Sequence, residues 1–175
     1  MQRSILFYLM TAAKIIRLGG WLFCCVVQTS AIAQQDQPTI STQSYADWYV
    51  RCESTEAVDK SCVMSQQVLT KSGERQLLQI NIAKVEQGIL MTAIFPLGIY
   101  LPAGAYLQVD EFEKSHFTFE FCTARGCFVN QLLDHGLVQL MRKKQSAKFT
   151  IEVANGSPIH IPMSISGFLG AFAEL

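Results

Sequence analysis

Alternation of apolar and polar residues with a period of two is the feature that most limits what this chain can fold into. It recurs in segment after segment from Tyr45 onward, and it suits strands because helical faces repeat every 3.6 residues. The clearest case is residues 116–121, where three phenylalanines alternate with polar residues, which predicts one continuous strand. The pattern as a whole predicts a mainly β fold, built as an antiparallel β-sandwich or a barrel-like domain.

Residue types at the segment boundaries place some of these strands. Residues 89–95 are apolar almost throughout, which predicts a central strand. Asn155-Gly156 predicts a hairpin turn. Pro158 and Pro162 in the strand that follows predict an edge position, since proline cannot donate a hydrogen bond to a neighbouring strand.

One or two short helices accompany the strands. Asp134 is a suitable N-cap for a helix over residues 135–144, whose apolar residues fall on one face. A last helical turn or two is expected around Phe168.

The first 33 residues have the organisation of a secretory signal peptide. Three basic residues precede an apolar run over 18–27, and the small-residue site Ala31-Ile32-Ala33 follows, so cleavage is predicted between Ala33 and Gln34. The alternative is a retained membrane anchor. Ten apolar residues span only about 15 Å as a helix, which is too short to cross a hydrocarbon core of about 30 Å. Cleavage is therefore favoured over the anchor, and no stable membrane span is expected after it.

The rest of the chain is predicted to consist of a flexible leader and one domain. Residues 34–44 are polar with little periodicity, and residues 45–175 carry the β pattern. Residues 1–33 hold 3 of the 14 bases and none of the 14 acids, which leaves 11 bases against 14 acids and a net charge near −3. Such a charge argues against a nucleic-acid partner, because binding to phosphates requires cations.

Four cysteines remain after the predicted cleavage site: Cys52, Cys62, Cys122 and Cys127. In an oxidising compartment an even number predicts disulfides, and four cysteines allow three connectivities. The pairs Cys52–Cys62 and Cys122–Cys127 are favoured, because each brackets a short loop between two strands. Directly opposed residues of a hairpin have Cα atoms about 4.5–5.5 Å apart, which is within disulfide range.

The alternatives for the cysteines are a redox couple and a metal site. Redox couples typically use Cys-x-x-Cys at a helix N-terminus, and neither spacing fits. A zinc site would need closely spaced cysteine pairs or added histidines, and no histidine lies within four residues of these cysteines. No cofactor and no metal are therefore expected.

No established catalytic motif occurs in the chain, so no catalytic residue is assigned. Asp110, Glu111 and Glu113 form an acidic cluster that could serve a hydrolase. The basic run 142–144 suits a helix C-terminus, and its alternative is a patch for anionic lipid or sugar. The three histidines are interpreted as surface residues: His116, His135 and His160.

A set of motifs over nearly all of residues 45–175 resembles a known family in order and spacing. Its members are Trp48, Cys52, Cys62, Pro96-Leu97-Gly98, Leu101, Gly104, Val109-Asp110, Cys122, Gly126-Cys127, Ile161-Pro162 and Ser166-Gly167-Phe168. The pattern is similar to that of the invasion-associated locus B proteins of Gram-negative bacteria. The resemblance implies an exported protein of the periplasm or outer surface, linked to invasion of host cells, and no catalytic motif carries over from it.

The leading hypothesis is a non-enzymatic binding or interaction protein of the cell envelope. Its partner would be a protein or another ligand of the envelope or host surface. The alternatives are an envelope hydrolase that uses the acids of 110–113, and a periplasmic assembly or chaperone factor that uses an exposed edge strand. A deep pocket with carboxylates would favour the enzyme, and a shallow apolar or aromatic surface the binding protein. The sequence specifies neither the ligand nor the oligomeric state.

Overall fold

Two antiparallel sheets make up the computed structural model, which describes residues 37–55, 59–112, 114–144 and 146–175. The strands in these residues are β1 Thr39–Tyr45, β2 Trp48–Ser54, β3 Ser61–Leu69, β4 Gln76–Val85, β5 Gly88–Phe95, β6 Ala105–Val109, β7 Ser115–Phe117, β8 Phe121–Thr123, β9 Gly126–Leu133, β10 Ser146–Glu152 and β11 Pro158–Ser164. The helices are α1 His135–Lys143 and α2 Phe168–Phe172, and a 3₁₀ turn covers Leu101–Ala103. The predicted signal segment and the Ala33–Gln34 cleavage site lie outside the described residues.

The two sheets have the strand orders β1-β2-β3-β4-β5-β9-β8 and β11-β10-β6-β7. They are separate sheets and not one closed sheet, so of the two predicted architectures the sandwich is confirmed. Their inner faces form one apolar core. Phe95 of β5 and Phe149 of β10 meet in it edge to face, with ring centroids 5.4 Å apart. Burial of each large apolar side chain contributes about 1.5–3 kcal/mol.

Several predictions from local sequence are confirmed. β5 lies inside the larger sheet, β11 is an edge strand, and the Asn155-Gly156 turn joins β10 to β11. α1 begins after Asp134, whose Oδ1 accepts a hydrogen bond from the Leu137 backbone N–H at 2.8 Å.

Within the part of the chain that the structure describes, no helix is long and apolar enough to cross a membrane.

The predicted flexible leader over 34–44 is wrong for residues 39–44. These residues belong to β1, which pairs with β2 along its whole length, from Thr39 opposite Ser54 to Tyr45 opposite Trp48. Six of its seven residues are exposed, so β1 has no apolar face to signal a strand. Its hydrogen bonds to β2 hold it in the sheet, and these come from the backbone and leave no mark in the sequence.

The continuous strand predicted over 116–121 is also wrong, because the chain passes from one sheet to the other within it. Phe117 ends β7 in the four-stranded sheet and is buried in the core. Phe119 lies in the crossing and contacts Phe95 edge to face at 5.5 Å. Phe121 begins β8 of the seven-stranded sheet and stacks on Phe128, with centroids 4.8 Å apart. Alternation of apolar and polar residues indicates an extended backbone, but it does not indicate which sheet the strand joins.

Both favoured disulfides are present. Cys52 lies directly opposite Cys62 across β2 and β3, and Cys122 directly opposite Cys127 across β8 and β9. The first disulfide is buried in the core, whereas the second has one buried and one exposed cysteine. Each bridge therefore fastens a strand pair at the end where its connecting loop leaves the sheet.

Replacement of both Cys122 and Cys127 by alanine is expected to lower the free energy of unfolding by about 2–3 kcal/mol, because the unfolded chain regains loop entropy. For a domain of this size the melting temperature should fall by about 10 °C. The hairpin should persist, since Phe121 still stacks on Phe128. Thermal melts of the oxidised wild type and the double variant measure the effect. A difference of no more than about one degree would contradict a structural role.

A buried glutamine joins the two sheets. Gln66 of β3 is only 3% exposed, and its Oε1 accepts a hydrogen bond from the Ser164 backbone N–H at 2.9 Å. Its Nε2 donates to the Ser164 carbonyl at 3.0 Å and lies 3.4 Å from the Asp47 carbonyl. The Trp48 indole N–H also donates to the Ser164 carbonyl, at 3.0 Å. These bonds attach the end of β11 to the larger sheet.

The C-terminal segment packs closely against the β1–β2 hairpin. Gly167 has a φ of 85°, and a Cβ at this position would stand 1.9 Å from the Tyr45 carbonyl oxygen. The next residue, Phe168, is fully buried and meets Trp48 edge to face at 5.4 Å. Only glycine combines this backbone conformation with this approach.

Tyr45, Glu174 and Lys60 form a polar cluster at the same end of the fold. The Tyr45 hydroxyl donates to Glu174 Oε1 at 2.7 Å, and Lys60 Nζ lies 3.3 Å from Glu174 Oε2. The hydrogen bond from Tyr45, and then the bond and charge of Lys60, hold the pKa of Glu174 below its ordinary value. The same hydrogen bond raises the pKa of Tyr45.

Tyr45→Phe and Lys60→Met are each expected to move the pKa of Glu174 up toward its ordinary value, because each variant lacks a donor to the carboxylate. A depressed carboxyl pKa stabilises the fold above the unfolded pKa of about 4.3, and this contribution is lost as the pH falls through the folded pKa. NMR titration of the Glu174 carboxyl below neutral pH measures both variants. A pKa of Glu174 that either variant leaves unchanged would contradict the role assigned to that donor.

Candidate functional site

The outer face of the seven-stranded sheet, turned away from the four-stranded sheet, is the candidate binding surface. Alternation sends every second side chain of β2, β3, β4, β5 and β9 to this face. The strand register then aligns these side chains in rows that run across the sheet. One row is polar, and the rows on either side of it are largely apolar.

The polar row consists of Tyr49, Ser65, Asn81, Thr92 and Asn130, each opposite the next. Thr92 Oγ1 donates to Asn130 Oδ1 at 2.7 Å, and Asn130 Nδ2 donates to Glu120 Oε2 at 2.8 Å. Gln79 Nε2 donates to Asn81 Oδ1 at 3.2 Å. These bonds hold the amides in place and leave further donors and acceptors of the amides for a ligand.

The apolar rows supply contact area beside the amides mainly through Phe121 and Leu132, which are exposed, whereas Ile94 and Phe128 are buried. One row contains Ile94, Phe128 and Phe121, and the Arg125 guanidinium carbon lies 5.8 Å from the centroid of the Phe128 ring. The other row contains Val63, Ala83, Leu90 and Leu132, and its β2 member is Arg51, which is opposite Val63. The exposed ring of Phe121 suits contact with planar or apolar ligand groups.

A shallow depression of about 300 Å³ lies across these rows, lined by Val63, Gln79, Asn81, Ala83, Leu90, Thr92, Ile94, Arg125 and Phe128. Its lining combines aliphatic side chains, amides and one cation. None of the lining residues is a cysteine, histidine or carboxylate, the groups that most often act as nucleophile or general base. This chemistry suits the binding of a ligand that is partly apolar and forms hydrogen bonds.

The acidic cluster lies elsewhere, at the end of β6. Asp110 has a φ of 47°, and its Oδ1 accepts hydrogen bonds from the backbone N–H of Ser146 at 3.0 Å and from its hydroxyl at 2.9 Å. Asp110 therefore joins the end of β6 to the start of β10. Glu111 is exposed, and Glu113 lies outside the described residues.

The histidines are on three separate elements. His116 of β7 packs on Tyr106 with ring centroids 4.7 Å apart, and His160 Nδ1 of β11 lies 2.9 Å from Thr150 Oγ1. His135 is the first residue of α1. Among residues 37–55, 59–112, 114–144 and 146–175, no three histidines, cysteines or acids are grouped so as to hold a metal ion.

Two cations of the basic run cover aromatic rings. Arg142, in the last turn of α1, lies 5.7 Å from the Phe172 ring centroid. Lys144 Nζ lies 4.6 Å from the Phe112 ring centroid. The run therefore contributes to packing at the helix C-terminus, as its primary interpretation predicts.

Comparison with known proteins identifies the family. The family model described as Invasion associated locus B (IalB) protein matches residues 48–175. The chain belongs to this family. Two curated locus B relatives are the Invasion protein B homologs of Brucella abortus strain 2308 and of its biovar 1 strain 9-941. Each is 29% identical to this chain over an alignment of 164 residues that covers 89% of this chain and 92% of the relative.

A solved locus B structure has the same fold. The crystal structure of invasion associated protein b from Bartonella henselae matches with a TM-score of 0.69. It is 23% identical in sequence, and the match covers 77% of this chain and 93% of that one. At this identity the match concerns the fold alone.

Several of the motifs that carry the locus B resemblance are structural in this chain, whereas Leu97 and Leu101 are exposed. Trp48 and Phe168 are core residues, and Gly167 allows the C-terminal segment to approach β1. Gly126 has a φ of 134°, and a Cβ there would stand 2.2 Å from the Phe95 carbonyl oxygen. Sequence reasoning therefore recognised the scaffold and missed the outer-face rows. The available signal was the pair of amides, Gln79 and Asn81, at alternate positions of β4.

Proposed function

We propose that this locus B protein is an exported, non-enzymatic binding protein of the bacterial envelope that contributes to host-cell invasion. The observation that carries the proposal is the outer face of the seven-stranded sheet, with its ordered amides between apolar rows. The names of the Brucella relatives support the link to invasion. The two disulfides support a location in an oxidising compartment, the periplasm or the outer surface.

Binding accounts for the site better than hydrolysis does. A hydrolase of the kind considered would use paired carboxylates in a cleft. Asp110 instead accepts two hydrogen bonds from Ser146 at a strand end. The depression on the outer face is shallow and carries contact groups, which is the arrangement expected of a surface that recognises another molecule.

The proposal is tested with two matched double variants. Asn81→Ala with Arg125→Ala removes one amide and one cation from the outer face of the larger sheet. Gln108→Ala with Lys148→Ala removes the same groups from the smaller sheet, where the two residues are directly opposed. Binding of each purified exported protein to isolated outer membrane, peptidoglycan and host-cell surfaces is measured by co-sedimentation.

We expect the first variant to bind at least about 10-fold more weakly than the wild type, a loss of about 1.4 kcal/mol. The second should bind within about twofold of the wild type, and both should melt within a few degrees of it. Equal binding by the two variants would assign recognition to another surface. Wild type that binds none of the three preparations would contradict the proposed function.

Export makes a separate prediction about the N-terminus. Cleavage between Ala33 and Gln34 should give a mature protein that begins at Gln34 and lacks all of the first 33 residues. Intact-mass measurement of the protein recovered from the periplasm or medium tests this. A mass that includes residues 1–33 would instead favour the membrane anchor.

A further inference from the structure

The four sheet edges in the described part of the chain differ in how well they are protected. β7 and β8 are three residues long, and β8 is fastened to β9 by the Cys122–Cys127 disulfide. β11 carries Pro158 and Pro162, which cannot donate to an added strand. Short strands and edge prolines are the devices by which proteins prevent strand addition.

β1 has none of these devices. It is seven residues long, contains no proline and no charged residue, and pairs with β2 without a register shift. Both of its faces are exposed, from Thr39 to Ser44. An edge of this kind presents a row of backbone donors and acceptors that are available to another strand.

The turn after β1 identifies which backbone groups are available. Ala46 and Asp47 form a two-residue turn between the paired residues Tyr45 and Trp48, and Ala46 has a φ of 51°. In such a turn the carbonyl before it accepts from the N–H after it, so Tyr45 faces β2. The backbone N–H and C=O groups of successive residues point to opposite edges of a strand. Those of Ile40, Thr42 and Ser44 therefore face away from β2.

We propose that β1 pairs with β1 of a second copy of this chain, antiparallel and about a two-fold axis, so that the two large sheets become one. Full overlap of the two strands places Thr42 opposite Thr42 of the second copy. Ile40 then lies opposite Ser44 of the second copy. The outward backbone groups of each strand meet those of the other.

Three observations favour a second copy as the occupant. β1 has no charged residue, so self-pairing opposes no like charges, and a Thr–Thr pair is a favourable cross-strand contact. The pairing is isologous, so each copy supplies the strand that the other needs. The β1–β1 pairing also covers the unprotected edge of both copies, and the edges that remain are short or carry prolines. The assembly therefore closes as a dimer.

Charge substitution at the two-fold axis tests this pairing. Thr42→Lys places two lysines opposite each other, and Thr42→Glu places two glutamates, whereas an equimolar mixture allows Lys–Glu pairs. Gln67→Lys, on an exposed residue of β3, is the control for added charge. The exported proteins are compared by sedimentation equilibrium from about 1 to 500 µM, because a single strand pair is smaller than a standard interface of about 1,200–2,000 Å².

We expect wild type and Gln67→Lys to dimerise across this range. Each single Thr42 variant should dimerise at least about 10-fold more weakly, and the mixture should recover dimer. Melting temperatures of all variants should stay within a few degrees of the wild type. Wild type that remains monomeric at every concentration overturns the proposal, as do single variants that dimerise like wild type or a mixture that does not recover. None of these outcomes bears on the outer-face proposal.

Discussion

Gly167→Ala is expected to lower the free energy of unfolding by about 3–5 kcal/mol and the melting temperature by about 12–20 °C. The φ of 85° alone costs a residue with a Cβ about 1–2 kcal/mol. The larger part comes from the new Cβ, which would stand 1.9 Å from the Tyr45 carbonyl oxygen. Because that oxygen belongs to the backbone, α2 and the β1–β2 hairpin must separate to relieve the clash.

Gly98→Ala separates these two causes. Gly98 has a similar φ of 89°, but a Cβ there meets nothing within 4 Å. It should lose only the conformational part, about 1–2 kcal/mol. Chemical denaturation of both variants beside the wild type measures the difference. If the two alanine variants unfold at the same denaturant concentration, the close approach of Gly167 to Tyr45 is not a feature of the folded protein.

Gln66→Leu is expected to lower the free energy of unfolding by about 2–4 kcal/mol, although leucine suits an apolar core. The substitution removes the acceptor of the Ser164 N–H and a donor to the Ser164 carbonyl. An N–H group left without a partner in a partly buried position costs its desolvation energy. The substitution also releases the end of β11 from the larger sheet.

Gln67→Leu is the matched control, since Gln67 is adjacent in β3 but exposed on the other face. Its effect should stay within about 0.5 kcal/mol of the wild type, as for most surface substitutions. Urea unfolding followed by the fluorescence of Trp48 reports on the same junction. A Gln66→Leu variant as stable as Gln67→Leu would show that the sheets are held together by apolar packing alone.

The two proposals use different parts of one scaffold. The outer face offers amides and aromatic rings to a ligand, and the β1 edge offers backbone groups to a second copy. Pairing through β1 would place two outer faces side by side, because Tyr49 and Arg51 of β2 lie only one strand from the edge. A repetitive ligand could then engage both faces, which raises apparent affinity without any new contact.

Local chemistry was enough to predict much of the scaffold. Cys52–Cys62 and Cys122–Cys127 followed from hairpin geometry, and the cap of α1 followed from Asp134. The burial of alternate residues in β2 followed from its period of two. In each case the residues that determine the feature are close together in the sequence, so their types and spacing carry the necessary information.

Contacts between distant segments decided the rest. β1 is a strand because β2 supplies its hydrogen bonds, and its own polar residues give no sign of this. The segment around Phe119 divides between two sheets because different partners, β6 and β9, pair with its two ends. Gln66 is buried because the Ser164 backbone, 98 residues away, satisfies its amide. The sequence by itself determined most of the extended segments and favoured the cysteine pairs that form. Only the tertiary structure decided that β1 is a strand and which strands are neighbours, since a period of two is the same whichever partner a strand acquires.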